Sequence, residues 1–147
     1  MNKKILPQAN TLDTVIKVFL YAGLKTDCTK EDIADFCQFD IRQSDYYLGA
    51  CIYLGLFDEH GELTCLGQEI LDGDEELLKK RIYELILNDE LIGKFFTHMI
   101  LFPRDDIRAF AAKLTREYFP QYGDAVINRR SSCLVGWCKE IQDYSNL

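Results

Sequence analysis

No stretch of this sequence approaches the roughly 18–20 consecutive apolar residues that a membrane-spanning helix needs, so no segment reads as a bilayer anchor. Proline is scarce, at 3 in 147 residues, which leaves long segments free to be helical. The start, "MNKKILPQAN", meets Pro7, Gln8 and Asn10 where a signal peptide would carry its apolar run, and the expected location is the cytoplasm. The six cysteines (28, 37, 51, 65, 133, 138) include no C-x-x-C pair, and His60 and His98 stand far apart. Zinc modules bring their ligands in closely spaced pairs. No metal is therefore expected, and Cys51, Cys133 and Cys138, placed in apolar helical runs, read as small hydrophobes.

Catalytic signatures are missing as well. Metal-dependent phosphodiester cleavage needs an acidic residue two positions before a lysine, to hold the ion and orient water. No E-x-K or D-x-K occurs, and "DGDEELLKK" lacks the glycines of a phosphate loop. The carboxylates of "PRDD" (103–106) suit a helix N-terminus, where the macrodipole favours negative charge. Neither histidine has an obvious nucleophile beside it in sequence. The expectation is a protein without catalytic chemistry in this segment and without a cofactor.

What is present is a composition of 48% hydrophobic and 28% charged residues, enough for a real core in one domain or two small ones. The net charge of −7 excludes a broad electrostatic coating of nucleic acid. Its distribution is uneven: residues 1–70 hold 6 basic and 11 acidic side chains, whereas residues 104–139 hold 7 basic and 4 acidic. A local positive surface in the second half is compatible with these counts.

Helical periodicity dominates. "TLDTVIKVFLYAGLK" (11–25) places Leu12, Val15, Ile16, Phe19 and Leu20 on one face, with Thr11 at the cap position. "TKEDIADFC" (29–37) opens with Thr29 and Asp32 at capping-box spacing, and Asp40 with Gln43 repeats that pattern before a run to Leu54. "LFDEHGELT" (56–64) is short and centred on Gly61, which suits a small β-hairpin, and Thr64 then caps a helix over 65–71. Three helices followed by a hairpin, with about three residues between the second and third, is the order of a winged helix-turn-helix.

Further helices are expected over 74–89 and 90–102 as an antiparallel pair, then over 104–119 with Pro103 at its first turn, and over 125–141. The last two loosely echo a helix-turn-helix, with "QDYSNL" as the start of a second, truncated wing. The fold class is thus mainly α, with a winged helix-turn-helix over 1–72 and a helical half over 73–147.

In such a motif the third helix enters the major groove by its N-terminal end. Arg42, Gln43 and Ser44 occupy that first turn, and Arg and Gln side chains make the paired hydrogen bonds that read guanine and adenine. Tyr46 follows on the same helix start. Each has a plain structural alternative: Gln43 as the capping partner of Asp40, Arg42 paired with Asp45, Tyr46 in the core. Beyond Asp45 the helix is almost wholly apolar, a buried stem, and the acidic "DEHGE" repels phosphate. Arg129 and Arg130 form a second candidate contact. Arg129 projects away from the Ile127–Leu134–Trp137 stripe, whereas Arg130 lies near it and is placed to snorkel or to pair with a carboxylate.

These residues carry a resemblance. Phe39, Asp40, Arg42, Gln43, Tyr46, Tyr47, Ala50, Tyr53, Leu54, Gly55 and Leu56, followed by Leu63, Thr64 and Gly67, are similar to the core motif of a bacterial winged-helix DNA-binding family associated with type II restriction enzymes. "NRRSSCLVGWCKEI" resembles a later segment of that family at Arg129, Arg130, Trp137 and Ile141. The resemblance implies recognition or positioning of double-stranded DNA in a restriction system, with the nuclease domain elsewhere. The alternatives are two: a winged-helix transcription regulator that is a homodimer through 74–102, or a protein-interaction module that never touches DNA.

Overall fold

The computed structural model describes residues 5–25 and 27–146, and among these the regular structure is helical. The chain divides into two compact units, Met1–Ile82 and Tyr83–Leu147.

In the first unit, α1 (Leu12–Leu24) buries Leu12, Val15, Val18 and Phe19, while Ile16 and Leu20 are only half-buried. Thr11 holds the cap position without capping: its hydroxyl donates to Thr14 Oγ1 at 2.8 Å and lies 3.2 Å from the Tyr47 hydroxyl. α2 (Lys30–Cys37) starts with a complete capping box. The Asp32 amide donates to Thr29 Oγ1 at 3.1 Å and the Thr29 amide to Asp32 Oδ2 at 3.0 Å, satisfying two orphan donors at once. The Thr29 amide first and the Thr29 hydroxyl next hold the Asp32 carboxyl below its ordinary pKa.

The tight turn after α2 is made by Gln38, whose φ of 58° lies in the left-handed region. Asp40 then caps α3 (Ile41–Tyr53), its carboxylate accepting from the Arg42 amide at 2.8 Å. The expected capping box does not form, because the Asp40 carboxylate takes the Arg42 amide and the Gln43 amide donates instead to the Asp40 backbone carbonyl at 2.8 Å. Two bonds fix α2 against α3: Ser44 Oγ donates to the Lys30 carbonyl at 2.8 Å, and the Lys30 ammonium pairs with Asp45. The Lys30–Asp45 pair raises the lysine pKa and takes the partner that sequence spacing assigned to Arg42.

The β-hairpin wing does not exist. Residues 56–64 contain one isolated antiparallel bridge, Phe57 to Leu63, and no strand among the described residues. The physical reason is that the helix ending at Tyr53 and the helix beginning at Cys65 leave room for a single pair. The Leu56 and Phe57 amides both donate to the Cys51 carbonyl, and the ladder is limited to the two bonds that flank the bridge, the Thr64 amide to the Leu56 carbonyl at 3.1 Å and the Asp58 amide to the Glu62 carbonyl at 2.8 Å. The Asp58 carboxylate collects the amides of His60 and Glu62 at 2.9 and 3.0 Å, closing a compact turn at Gly61. Leu56 and Phe57 are buried, Phe57 against the Phe19 ring at 5.9 Å, so this segment plugs the unit's core. The Thr64 hydroxyl caps α4 (Cys65–Asp72) by accepting from the Gly67 amide at 3.0 Å. Gly67 sits so close to the Leu56 carbonyl oxygen that a Cβ would collide with it.

A short 3₁₀ turn (Glu75–Leu77), capped by Asp74, leads into α5 (Leu78–Leu87), within which the division between the units falls. In the second unit α6 (Glu90–Leu101), α7 (Ile107–Tyr118) and α8 (Asp124–Ser145) pack together, and the main partner of α6 is α7. Pro103 does not begin a helix. Residues 103–106 form a turn, and α7 starts only after Asp106, whose carboxylate accepts from the Ala109 amide at 3.1 Å. The core gathers Leu91, Ile92 and Phe95 from α6, Leu114 from α7, and Ile127, Leu134, Trp137, Cys138 and Ile141 from α8. The second wing expected in "QDYSNL" is also absent: residues 142–145 are the last turn of α8, and Asn146 ends it with φ 57°. Leu147 lies outside the described residues. The mainly α class stands and the winged motif is replaced by helices joined through turns. No helix among the described residues is long and apolar enough to cross a membrane.

Candidate nucleic-acid interface

The first-turn candidates on α3 separate by depth. Arg42 is exposed, and its side chain makes no hydrogen bond or ion pair among the described residues. Gln43 and Tyr46 are half-buried. Ser44 is fully buried, and its hydroxyl is spent on the Lys30 carbonyl, so it is not presented to a ligand. Around Arg42 the exposed side chains include Asp40 and Asp45. A lone cation between carboxylates is a weak attractor for a polyanion. The unit as a whole carries 9 basic against 15 acidic residues.

The second candidate region is arranged differently. α7 and α8 are joined by the five residues 119–123, and this turn is packed and tied across its ends. Phe119 is buried and its ring stacks on Tyr122 at 5.0 Å and 3°, while the Arg116 guanidinium reaches Asp124 at 3.3 Å across the turn. Ala125, Asn128, Arg129, Ser132 and Lys139 all fall on one exposed face of α8, with Gly136 half-buried in the same stripe. Between Asp124 and Glu140 the helix contains no carboxylate. Asn128 and Arg129 side chains make no hydrogen bond among the described residues, and the Ser132 hydroxyl donates to the Asn128 carbonyl at 2.8 Å, leaving its oxygen as an outward acceptor. Arg130 is half-buried, with Nε sealed from solvent, and makes contacts within the protein. The structure therefore separates the two arginines as helical geometry requires.

Sequence reasoning pointed to residues 128–132 as a contact region and singled out Arg129 and Arg130 in it, without assigning Asn128, Ser132 or Lys139 a role of their own. Their spacing of 4 and 7 residues along one helix was the available signal, and it becomes informative only when the opposite face is seen to be buried.

Metal and thiol chemistry has little to build on here. Among the described residues no three His, Cys, Asp or Glu side chains are grouped so that they would hold a metal ion. Burial pushes the Cys51 thiol up to about 12, and burial with Cys133 nearby raises that of Cys138 further still, so both are inert as nucleophiles near neutral pH.

Comparison with known proteins yields one kind of match. The family model described as "Domain of unknown function (DUF7226)" matches residues 15–146. No curated protein and no solved structure matches the chain.

Proposed function

The chain belongs to the DUF7226 family, and from its geometry we propose that it is a non-catalytic module that contacts duplex DNA, serving as the targeting part of a type II restriction system. The carboxylate-free exposed stripe on α8 carries the DNA part of this reading. Arg129 and Lys139 supply charge to the phosphates, and Asn128 and Ser132 supply hydrogen-bonding groups suited to base edges or backbone oxygens. The α7–α8 pair replaces a winged motif as the docking element, with α8 as the helix presented to the groove. Arg42 is a further contact from the first unit, and Gln43 and Tyr46 are secondary to it. The restriction context rests on the similarity of the 39–67 and 128–141 motifs to that family of DNA-binding domains.

Fluorescence anisotropy with a labelled mixed-sequence duplex, repeated from about 50 to 200 mM salt, tests the reading. The expected result is an affinity that falls with salt, and an Arg129→Ala variant whose log–log salt slope is shallower by about 1. Absence of binding at about 50 mM salt would overturn the proposal, as would an Arg129→Ala variant indistinguishable from wild type.

A further inference from the structure

The first unit holds an open apolar groove between α1 and α2 that the DNA reading does not use. It encloses about 440 Å³ and is lined by Leu20, Tyr21, Leu24 and Phe36, with Lys17 and Lys25 flanking them. Leu24 is 75% exposed and Phe36 45%, although both belong to helices whose other apolar residues are largely covered. Tyr21 and Phe36 stack face to face at 4.0 Å and 13°, a ring pair that makes the apolar floor of the groove. Lys17 Nζ lies 5.0 Å from the Phe36 ring centre, and Lys25 Nζ lies 5.2 Å from that of Tyr21 and 3.0 Å from its hydroxyl.

We infer that this groove docks a short acidic peptide segment of a partner protein, seating one or two apolar side chains on the Tyr21–Phe36 floor while its carboxylates meet Lys17 and Lys25. Charge decides the class of occupant. Both formal charges on the groove wall are positive, in a unit where acidic residues outnumber basic ones by 15 to 9. Lys25 already shares Asp32 at 3.6 Å, whereas Lys17 has only the ring beneath it among the described residues. A small positive island in an acidic surface orients a partner whose negative charge is equally local, and repels one misplaced by a few ångströms. Nucleic acid does not fit that description, because its phosphates continue past the two lysines onto the surrounding carboxylates. A small ligand fits poorly as well: sites for small molecules bury most of the ligand, and this groove is open to solvent. An amphipathic helix laid in an apolar groove needs no such enclosure.

The full chain, immobilised, is panned against a displayed random library of peptides of roughly 12 residues, enough for about three helical turns. The expected winners pair Leu, Phe or Trp at helical spacing with flanking Asp or Glu. A fluorescein-labelled winner should bind wild type and lose roughly tenfold in affinity on Lys17→Glu, an exposed substitution whose fold is checked by circular dichroism. Four results overturn the inference: no enrichment above the support alone, winners that are neutral or basic, a winner that binds Lys17→Glu undiminished, or concentration-dependent dimerisation of the chain that Lys17→Glu abolishes. The last would give the groove to a second copy.

Discussion

At the scale of single residues, the deciding quantity is depth. Ser44 and Arg42 stand two positions apart at the start of one helix, yet one is sealed and the other solvated. The Ser44 hydroxyl is a structural bond to the Lys30 carbonyl, and a hydrogen bond of that kind contributes about 0.5–1.5 kcal/mol. Ser44→Ala should lower the unfolding free energy by that amount, read as a reduced urea midpoint at unchanged slope, and leave the DNA affinity of the folded protein unchanged. A variant that kept its stability but lost affinity would place Ser44 at the interface instead. Arg129 and Arg130 divide in the same way, one exposed and one half-buried. Adjacent residues on a helix differ by about 100° in direction, so identical chemistry acquires different roles.

At the scale of elements, the segment 56–64 shows how local satisfaction overrides a β pattern. Its turn is held by Asp58, whose carboxyl is kept below the ordinary carboxylate pKa by the Glu62 amide first and the His60 amide next, with slight burial opposing them. A folded-state pKa below the unfolded value of 3.8 means that this stabilisation is fully present above 3.8 and is lost as pH falls through the lowered folded value. Asp58→Asn should therefore be less stable than wild type at neutral pH, and the gap between them should close on acidification below 3.8. Denaturant titrations of both proteins across that window measure it, and a gap that widened in acid would contradict the turn geometry. The capping box of α2 was legible in advance, since Thr29 and Asp32 need only be three residues apart. The one expected at Asp40 does not form, because the carboxylate takes the Arg42 amide and the Gln43 amide turns to a backbone carbonyl, a choice that spacing does not reveal.

At the scale of the whole molecule, the six cysteines report on both units. Cys51 in the first unit and Cys133 and Cys138 in the second are buried, Cys28 and Cys37 are half-buried, and Cys65 is exposed. Labelling the native chain with a maleimide near neutral pH should modify at most the latter three quickly. Cys51, Cys133 and Cys138 should wait for unfolding, since only the opened state exposes their thiols. Counting adducts by intact mass during a denaturant titration gives the expected outcome of three early and three late. If the units open separately, the late group splits into one and two. Fast native labelling of Cys51 would contradict the packing of α1 against α3.

The sequence by itself determined the helical class, most helix starts, the absence of a long apolar span and the outward direction of Arg129, because these follow from periodicity, capping chemistry and residue spacing along one element. Tertiary structure decided the rest. The wing shrank to one bridge because α3 and α4 close in on either side and the Cys51 carbonyl takes the Leu56 and Phe57 amides, and Ser44 left the surface because its hydroxyl is bonded to the Lys30 carbonyl of α2. The α1–α2 groove emerged because Phe36 and Leu24, apolar residues on helices whose other apolar residues are largely covered, find no cover there. Each of these depends on which groups from distant parts of the chain meet, and no local pattern carries that information.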